Sequence, residues 1–319
     1  MNKCSYNLSY MDSSDGIHKT AIYTFDNVEN PKAVVQISHG MQEHIGRYEN
    51  FAEILNKNGF IVVGNDHLGH GKTSNQKTDE GFFAKKNGAK YVLQDLHNTT
   101  NFIKQNYKNI PVFLFGHSMG SFFARLFAMT YGNEVKGYIF CGTSGNVKFE
   151  HAGLLVLNFL KLIKGKKYYS KLAEKLMLDN YFKYINNIVN KREWITSDQE
   201  NLTKYLKDDK TQIKFTVGAY YDMLKTLITV NKNSWAKKLD KDLPYLLISG
   251  AQDPVGQYGS GVCNVYKMME KYKVQNIDLK LYAKARHEPH NEVPYIKQNF
   301  YEDIIKWLNE NLNKLEKNI

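Results

Sequence analysis

The sequence predicts an α/β fold: a mostly parallel, doubly wound sheet with an inserted helical segment. Three observations support this prediction. Short strand-like runs alternate with segments of helical spacing, the alternation stops once near the middle of the chain, and it resumes before the C-terminus. With 319 residues and 42% hydrophobic side chains, the chain is long enough for one large core that carries an insertion.

Six runs rich in β-branched and aromatic residues predict the buried strands. Such runs carry apolar side chains on both faces, which is typical of parallel strands covered by helices on both sides. They span residues 33–40, 60–66, 112–118, 137–143, 245–253 and 278–284.

Segments of helical spacing separate these runs and predict the helices that cover the sheet. In each segment the apolar residues stand three or four positions apart, which places them on one helix face. The segments span residues 48–55, 92–102, 122–127 and 301–315, the last being a closing helix.

The alternation stops after Thr143 and resumes at Leu243. Between these points the pattern is helical, rich in Lys and Tyr, and shows no strand. We therefore predict a core built from residues 1–146 and 237–319, with residues 147–236 inserted as a helical cap.

The net charge of +11 raises the possibility of an anionic partner. The 43 Lys and Arg residues are nevertheless scattered, with short clusters at 164–167 and 237–241, and no nucleic-acid-binding motif accompanies them. We expect most of them to form a solvated face and expect no nucleic-acid binding.

The N-terminal residues contain no apolar stretch of the length found in a secretory signal. No apolar run in the chain approaches the roughly 18 residues needed to span a membrane. A cytoplasmic location is the expectation. The three cysteines are far apart in the sequence and show no CxxC spacing of the kind that binds metals, so reduced thiols are expected. They are Cys4, Cys141 and Cys263.

Residues 116–120 read Gly-His-Ser-Met-Gly and fit the G-x-S-x-G pattern of a nucleophile elbow. The motif follows an apolar strand and precedes a helical segment, which is the context that the pattern requires. Ser118 is therefore the predicted nucleophile. His117 is expected to line the pocket or to pack.

Chain order selects the base, because the acid and then the histidine follow the serine in this arrangement. Only His151, His287 and His290 lie after Ser118. His151 precedes every strand that could supply an acid. His287 comes four or five residues after a predicted strand and is preferred to His290, which lies nearer the next helix.

The acid must end a strand on the same sheet edge as the base, where it can orient the imidazole. Asp253 closes the run at 245–253 and is followed by Pro254. Asp240 and Asp242 precede that strand, and Asp278 begins one. Asp253 is therefore the predicted acid, although a turn-capping role is the alternative.

Acyl transfer needs two backbone N–H groups that face the developing oxyanion. The residue after the nucleophile, Met119, supplies one. The loop after the strand at 33–40 supplies the other, and Gly40 is expected to let the backbone of Met41 turn inward.

The stretch at 66–74 nearly matches a phosphate-binding loop, but Asp66 replaces the first glycine and would repel phosphate. A metal site formed by Asp66, His67 and His70 is conceivable from composition. The predicted triad needs neither, so we expect no metal and no cofactor.

Five motifs together resemble the monoacylglycerol lipase and lysophospholipase branch of the α/β hydrolases, often labelled the serine aminopeptidase S33 family. They are HGMQEH, NDHLGHGKTS, GHSMG, QDPV and ARHEPHNE, in that order, within a likeness that spans about residues 20–310. The resemblance implies an α/β-hydrolase fold with a helical cap that shapes an acyl pocket.

The resemblance also implies a triad of Ser118, Asp253 and His287, with an oxyanion hole from the N–H groups of Met41 and Met119. These are the residues that chain order and strand position select independently. The sequence departs from the usual pattern at Gln42 and at Ser121, where glycine is usual.

The expected reaction is hydrolysis of a small-molecule acyl ester, monoacylglycerol or lysophospholipid, through an ester on Ser118. Residues 153–169 are apolar and then cationic, as in a lid that touches anionic lipid, or in a cap helix packed on the core. A peptidase or amidase, with Glu174 or Asp179 holding an amino group, and a non-catalytic binding module are the alternatives.

Overall fold

A computed structural model describes residues 6–74, 76–145, 150–178, 181 and 190–317. Eight strands form one sheet in the order β1-β2-β4-β3-β5-β6-β7-β8. The pairs β1–β2 and β2–β4 are antiparallel, and every other pair is parallel. The strands are β1 (Asn7–Asp12), β2 (Lys19–Phe25), β3 (Ala33–Ser38), β4 (Phe60–Asn65), β5 (Val112–His117), β6 (Tyr138–Cys141), β7 (Tyr245–Gly250) and β8 (Ile277–Tyr282).

Helices follow the strands and cover both faces of the sheet. They are α1 (Glu49–Lys57), α2 (Gly88–Asn106), α3 (Met119–Tyr131), α4 (Glu150–Lys164), α5 (Lys171–Leu178), α6 (Gln199–Lys207), α7 (Val217–Val230), α8 (Asn233–Lys238), α9 (Ser260–Lys271) and α10 (Pro294–Glu316). Helices α1 and α10 pack on one face, and α2, α3 and α9 pack on the other.

The central strands are buried on both faces, as their composition predicts. Along β5, Val112 and Leu114 belong to the core on the α2–α3 side, whereas Phe113 and Phe115 belong to the core on the α1–α10 side. Successive strand residues point to opposite faces, so a fully apolar strand feeds two cores.

The α/β-hydrolase fold is confirmed, and the six predicted strands are β3 to β8. The antiparallel strands β1 and β2 were not predicted. Strand β2 reads KTAIYTF, and all its residues except the first are buried, including Thr20 and Thr24. These buried threonines interrupt the apolar run that identified the other strands.

Five helices, α4 to α8, lie between β6 and β7, where the cap is predicted, and the described part of this segment contains no strand. The predicted boundary at residue 147 lies outside the described residues, and α8 runs across the predicted boundary at residue 236. The division into core and cap stays a prediction.

Within the described residues, no helix has the length and apolar character that would let it cross a membrane. Cys141 and Cys263 are free thiols, as predicted, and Cys141 is buried. Cys4 lies outside the described residues.

The parallel strands all end at one edge of the sheet, and the loops there carry the predicted site. Residues 39–44 follow β3, Ser118 follows β5, Asp253 follows β7 and His287 follows β8. This edge is where open α/β sheets bind ligands.

Candidate active site

Ser118 forms the turn between β5 and α3. Its φ of 53° and ψ of −122° are a strained conformation for a residue with a side chain. The N–H of Ser118 donates to Cys141 O at 2.9 Å, and the carbonyl of Ser118 accepts from the Ser121 N–H at 2.8 Å. Hydrogen bonds on both sides of the strained residue hold the turn in place.

Gly116 and Gly120 leave no room for a side chain, and neither has a positive φ that would itself favour glycine. A Cβ atom at Gly120 would lie 2.0 Å from Ser38 O, and one at Gly116 would lie 2.5 Å from Gly120 O. Both distances are far shorter than van der Waals contact, so any side chain here would push the turn away from β3. Packing thus explains both glycines of G-x-S-x-G.

Asp253 and His287 lie next to each other in the loops after β7 and β8. His287 Nδ1 is 2.9 Å from Asp253 Oδ1, and both side chains are buried. The contact is as short as a hydrogen bond but poorly aligned at Nδ1. Catalytic hydrogen bonds often become aligned only when substrate binds. Asp253 Oδ1 also accepts from the Val255 N–H at 2.8 Å, which fixes the carboxylate.

A large apolar cavity of about 500 Å³ opens at Ser118. Its walls come from the start of α3, from α4, α5 and α7, and from the loop after β7. The volume and apolar lining are those of a small-molecule binding site.

A second cavity, of about 20 Å³, is also lined by Ser118. It is lined by His287, by the loop after β3 and by residues of the segment between α5 and α6, including Arg192 and Trp194. Arg192 also borders an outer cleft of about 440 Å³. Ser118, Met41 and Trp194 line both the large and the small cavity.

The histidines and acids that sequence analysis rejected are not lining residues of either cavity. His151 is exposed on α4, and His290 is buried behind the site. Asp240 and Asp242 precede β7, and Asp278 lies in β8. Of these five residues, none lines either cavity at Ser118.

The loop after β3 brings Met41 to the mouth of both cavities. Gly40 was expected to turn this backbone, but the positive φ, 56°, belongs to Gln42. Gly40 is instead needed for space, because a Cβ there would lie 3.0 Å from Ser118 Cβ and 2.6 Å from Glu43 Oε1. The loop is thus packed directly against Ser118.

Sequence analysis missed a buried network of charges behind the site, centred on Glu43. Its carboxylate accepts hydrogen bonds from the Gly40 N–H, from Tyr48 Oη at 2.9 Å and from Arg47 at 3.0 Å, and it pairs with His117 Nδ1 at 2.8 Å. Arg47 also binds Glu288, through two hydrogen bonds of 2.7 Å.

This network joins three loops of the site. Glu43 lies in the loop after β3, His117 precedes the nucleophile, and Glu288 follows His287 along the chain. His117 Nε2 also contacts His287 O at 3.2 Å. His117 therefore lines the small cavity, as expected, and in addition links the nucleophile turn to both neighbouring loops.

Neighbouring groups of opposite charge in the network offset the cost of burying each charge. Burial alone would raise the pKa of Glu43, but His117 and Arg47 hold it well below its usual value. Burial alone would lower the pKa of His117, but the Glu43 carboxylate raises it. Burial and the charge of His117 lower the pKa of His290 to about 3, so His290 is neutral.

Glu43, His117 and His290 have ligand atoms within 4.8 Å of one another, the spacing of a metal site. Four donors already surround the Glu43 carboxylate, and one of them is His117 itself.

Asp66, in the segment that resembles a phosphate-binding loop, has a structural role. Its carboxylate accepts from the N–H groups of Ile45 and Lys72, at 2.8 and 2.7 Å, and from Tyr23 Oη at 3.0 Å. His67 and His70 are buried, and burial lowers the pKa of His70 to about 3. These contacts hold the loop after β4 in place.

Sequence comparison identifies relatives over nearly the whole chain. The sequence model of a family described as serine aminopeptidase, S33, matches residues 29–294. The chain is 28% identical over 281 residues to a monoglyceride lipase homolog of monkeypox virus, covering 87% of this chain and 90% of that protein. It is 26% identical over 283 residues to the monoglyceride lipase of Rattus norvegicus, covering 88% and 84%.

Solved structures share the same architecture. A highly thermostable carboxyl esterase from Bacillus coagulans, crystallised with glycerol, superposes with a TM-score of 0.91 at 28% identity, covering 97% of this chain and 99% of that one. A soluble variant of monoglyceride lipase from Saccharomyces cerevisiae gives a TM-score of 0.75 at 20% identity, covering 97% and 98%, and supports the fold alone.

Proposed function

The chain belongs to the serine aminopeptidase S33 family of α/β hydrolases, and from this premise we propose that it hydrolyses lipid-type carboxylic esters, monoacylglycerol or lysophospholipid, through an acyl-enzyme on Ser118. One observation carries the proposal. Ser118 occupies a strained turn at an apolar cavity of about 500 Å³, and it lines a second cavity together with His287, whose Nδ1 lies 2.9 Å from Asp253 Oδ1.

In the proposed reaction, the Ser118 hydroxyl attacks the ester carbonyl while His287 takes its proton. Asp253 holds the imidazole and stabilises its cation. The N–H groups of Met41 and Met119 bind the oxyanion. His287 then protonates the departing alcohol, and a water molecule, activated by the same imidazole, hydrolyses the acyl-enzyme.

The cavity and the relatives together favour an ester with a long apolar acyl group. An apolar cavity binds hydrocarbon chains by removing their surface from water. The monoglyceride lipases and the carboxyl esterase to which the chain is similar support ester hydrolysis.

The test is a substrate panel of p-nitrophenyl esters, monoacylglycerols, lysophospholipids and aminoacyl amides. We expect the esters to turn over and Ser118→Ala to lower kcat by more than about 10³-fold. Ser260→Ala, which removes an exposed hydroxyl at the start of α9, is the matched control and should retain activity. Ester turnover that survives Ser118→Ala would contradict the mechanism, whereas no turnover of any substrate in the panel would be the result expected of a binding module.

An amidase is the second candidate, because the large cavity has an acidic residue in its wall, Glu150. A carboxylate there would suit a substrate with a free amino group. Glu174 borders the outer cleft instead, and Asp179 lies outside the described residues. Turnover of the aminoacyl amides alone in the same panel would favour this candidate.

We further propose that the cap touches an anionic membrane surface. Of the eleven large hydrophobic side chains that are exposed in the described part of the chain, seven lie between residues 155 and 176. Four exposed lysines, at positions 164, 167, 171 and 175, stand among them. Apolar side chains beside lysines are typical of surfaces that lie in the headgroup region of anionic bilayers.

Vesicle cosedimentation tests the membrane contact. We expect binding to phosphatidylcholine vesicles that contain phosphatidylglycerol, and less binding without it. The double variant Phe159→Ser/Leu162→Ser should lose binding, because both side chains are more than half exposed. Ile17→Ser/Tyr295→Ser, which removes two exposed hydrophobic residues elsewhere, should bind as before. Equal binding by the two double variants would contradict the proposal.

A further inference from the structure

A cavity of about 270 Å³ lies where α7, α8 and α9 meet, and we call it the α9 cavity. It shares no lining residue with the two cavities at Ser118. Its lining, in the part of the chain that the structure describes, contains no acidic residue. The polar side chains there are three amides and two amines, all able to donate hydrogen bonds: Asn231, Asn233, Asn264, Lys267 and Lys271. Such a lining favours a ligand that accepts hydrogen bonds and carries negative charge.

Asn231 is the buried polar side chain of the α9 cavity, with 8% of its surface exposed. Its Oδ1 accepts from Arg125 Nη2 at 2.9 Å. Because a guanidinium group only donates, this contact fixes which branch of the amide is the oxygen and leaves Nδ2 on the other side. Asn231 Nδ2 makes no hydrogen bond with any group that the structure describes. Buried donors are almost always paired, so this amide indicates an acceptor bound in the cavity.

Arg125 lies behind Asn231 and carries a positive charge that is fully buried. Its hydrogen-bond partners in the described part of the chain are all neutral. Besides Asn231, they are Thr143 Oγ1, Ser144 O and Val230 O. Burial lowers the pKa of Arg125, and no neighbouring acid raises it again. A hydrogen bond from this cation polarises the Asn231 amide and makes Nδ2 a stronger donor, so both residues favour an anion in the cavity.

Lys267 and Lys271 bring two exposed positive charges to the α9 cavity. They stand four positions apart in α9 and therefore on one face of that helix. Lys237 of α8 adds a third charge nearby, because its Nζ and that of Lys271 each lie 5.6 Å from the centre of the Tyr272 ring. The acidic residue of α9, Glu270, does not line the cavity. Positive charge is thus concentrated at this cavity without a carboxylate in its described lining.

The donors of the α9 cavity come from three elements, because Asn231 follows α7, Asn233 begins α8 and the two lysines belong to α9. A phosphate group carries oxygens on every side of its phosphorus, whereas the two oxygens of a carboxylate lie in one plane with its carbon. Donors that converge from several elements therefore match phosphate better than carboxylate. Lysine is, in addition, a common phosphate ligand that acts as a point charge.

We propose that the α9 cavity binds a phosphate group, either inorganic phosphate or a small phosphomonoester, through Asn231 Nδ2 at its buried wall and through Lys267 and Lys271. Arg125 does not touch the ligand, but it orients the Asn231 amide and contributes the field of its buried charge. The site is separate from the proposed active site and adds a binding function to the chain. It does not depend on the proposed ester hydrolysis.

Isothermal titration calorimetry with inorganic phosphate, glycerol 3-phosphate and acetate tests the site. The ionic strength is held constant with sodium chloride, so that general screening of the positive surface is the same in every titration. We expect saturable binding of inorganic phosphate or glycerol 3-phosphate at one site per chain, and binding of acetate at least about tenfold weaker. Tighter binding of glycerol 3-phosphate would assign the site to a phosphomonoester, and tighter binding of inorganic phosphate would assign it to the free ion.

Asn231→Asp is the sharpest variant, because it retains an acceptor for Arg125 and replaces the donor Nδ2 by a carboxylate oxygen that repels phosphate. We expect the affinity for phosphate to fall by about tenfold or more, while circular dichroism shows an unchanged fold. The surface variant Lys267→Ala/Lys271→Ala removes two exposed charges and should also lower the affinity about tenfold.

Lys207→Ala/Lys314→Ala is the matched control, since it removes two exposed positive charges from α6 and α10 that do not line the α9 cavity. It should bind phosphate as the unaltered protein does. Equal affinities in the two double lysine variants would overturn the site, as would the absence of saturable binding of both phosphate compounds or acetate binding as tight as theirs. The proposed ester hydrolysis would stand in each case, because it uses no residue of this cavity.

Discussion

Ser118 keeps a backbone conformation that costs a residue with a side chain about 1–3 kcal/mol. The surrounding contacts offset this cost: two backbone hydrogen bonds hold the turn, and Gly120 packs against Ser38 O. The strained turn places Ser118 where it lines both cavities, a position that suits the proposed nucleophile.

At the same scale, Asp253 is predicted to set the orientation and tautomer of His287. Asp253→Asn retains the size of the side chain but removes the charge that stabilises the imidazolium, so we expect kcat on p-nitrophenyl esters to fall by about 10⁴-fold. Asp242→Asn is the control, because Asp242 is exposed at the opposite end of β7. Comparable losses in the two variants would remove Asp253 from the mechanism.

The pair formed by His117 and Glu43 predicts a pH-dependent contribution to stability. Glu43 raises the pKa of His117 despite burial, so the folded chain binds this proton more tightly than the unfolded chain. The contribution is complete below about pH 6.5, the usual pKa of histidine, and is lost as the pH rises through the raised value.

We therefore expect His117→Gln to lower the free energy of unfolding in urea by about 3–5 kcal/mol at pH 6, the cost of leaving a buried partner unpaired. The loss should be smaller at pH 9. Glu53→Gln, which removes an exposed ion pair with Lys57, should cost less than about 1 kcal/mol at both values. A loss from His117→Gln that is the same at both pH values would show that the pair is not charged.

The proposed role of a residue could be derived from the sequence where a motif has both a chemical meaning and a defined position along the chain, as for Ser118. The network around Glu43 could not be predicted, because its members are brought together only by folding. Glu43 and Glu288 are 245 positions apart in the chain, and each looks like an ordinary loop carboxylate in the sequence.

At the scale of elements, the parallel strands were predictable because burial on both faces requires continuous apolar runs. Strands β1 and β2 lack such continuous apolar runs. Strand β1 lies at the sheet edge with exposed and half-buried residues, and β2 contains buried threonines. The turn at Gln42 was also missed, because a positive φ at a residue other than glycine leaves no mark in the sequence.

Helix α3 connects the sheet to the helices that precede β7 through Arg125. Arg125 is fully buried and donates to Ser144 O at 2.9 Å and to Val230 O at 2.6 Å, and its guanidinium lies 4.3 Å from the centre of the Trp235 ring. These contacts join α3 to the ends of α7 and α8.

We expect Arg125→Met to lower the free energy of unfolding by about 2–4 kcal/mol, because it leaves buried carbonyl oxygens without donors. Lys225→Met, an exposed cation on α7, should change it by less than about 0.5 kcal/mol. Thermal or urea unfolding provides the measurement. Equal stability of the two variants would show that Arg125 does not hold these helices.

At the scale of the whole molecule, one sheet edge collects the residues proposed as nucleophile, oxyanion loop, acid and base from four separate loops. The position of these residues at one sheet edge could therefore be predicted from the order of the strands along the chain. The two cavities were not predictable, because their walls combine helices between β6 and β7 with loops of the sheet, and the side chains that meet there are distant in sequence.

The central claim, that Ser118 is the nucleophile of an ester hydrolase, is tested most directly by intact-protein mass spectrometry after reaction with a fluorophosphonate, which traps activated serines. We predict a single adduct, located on Ser118 by peptide mapping, that is absent from Ser118→Ala and retained in Ser260→Ala. An unmodified protein that still hydrolyses esters, or an adduct on another serine, would contradict the account.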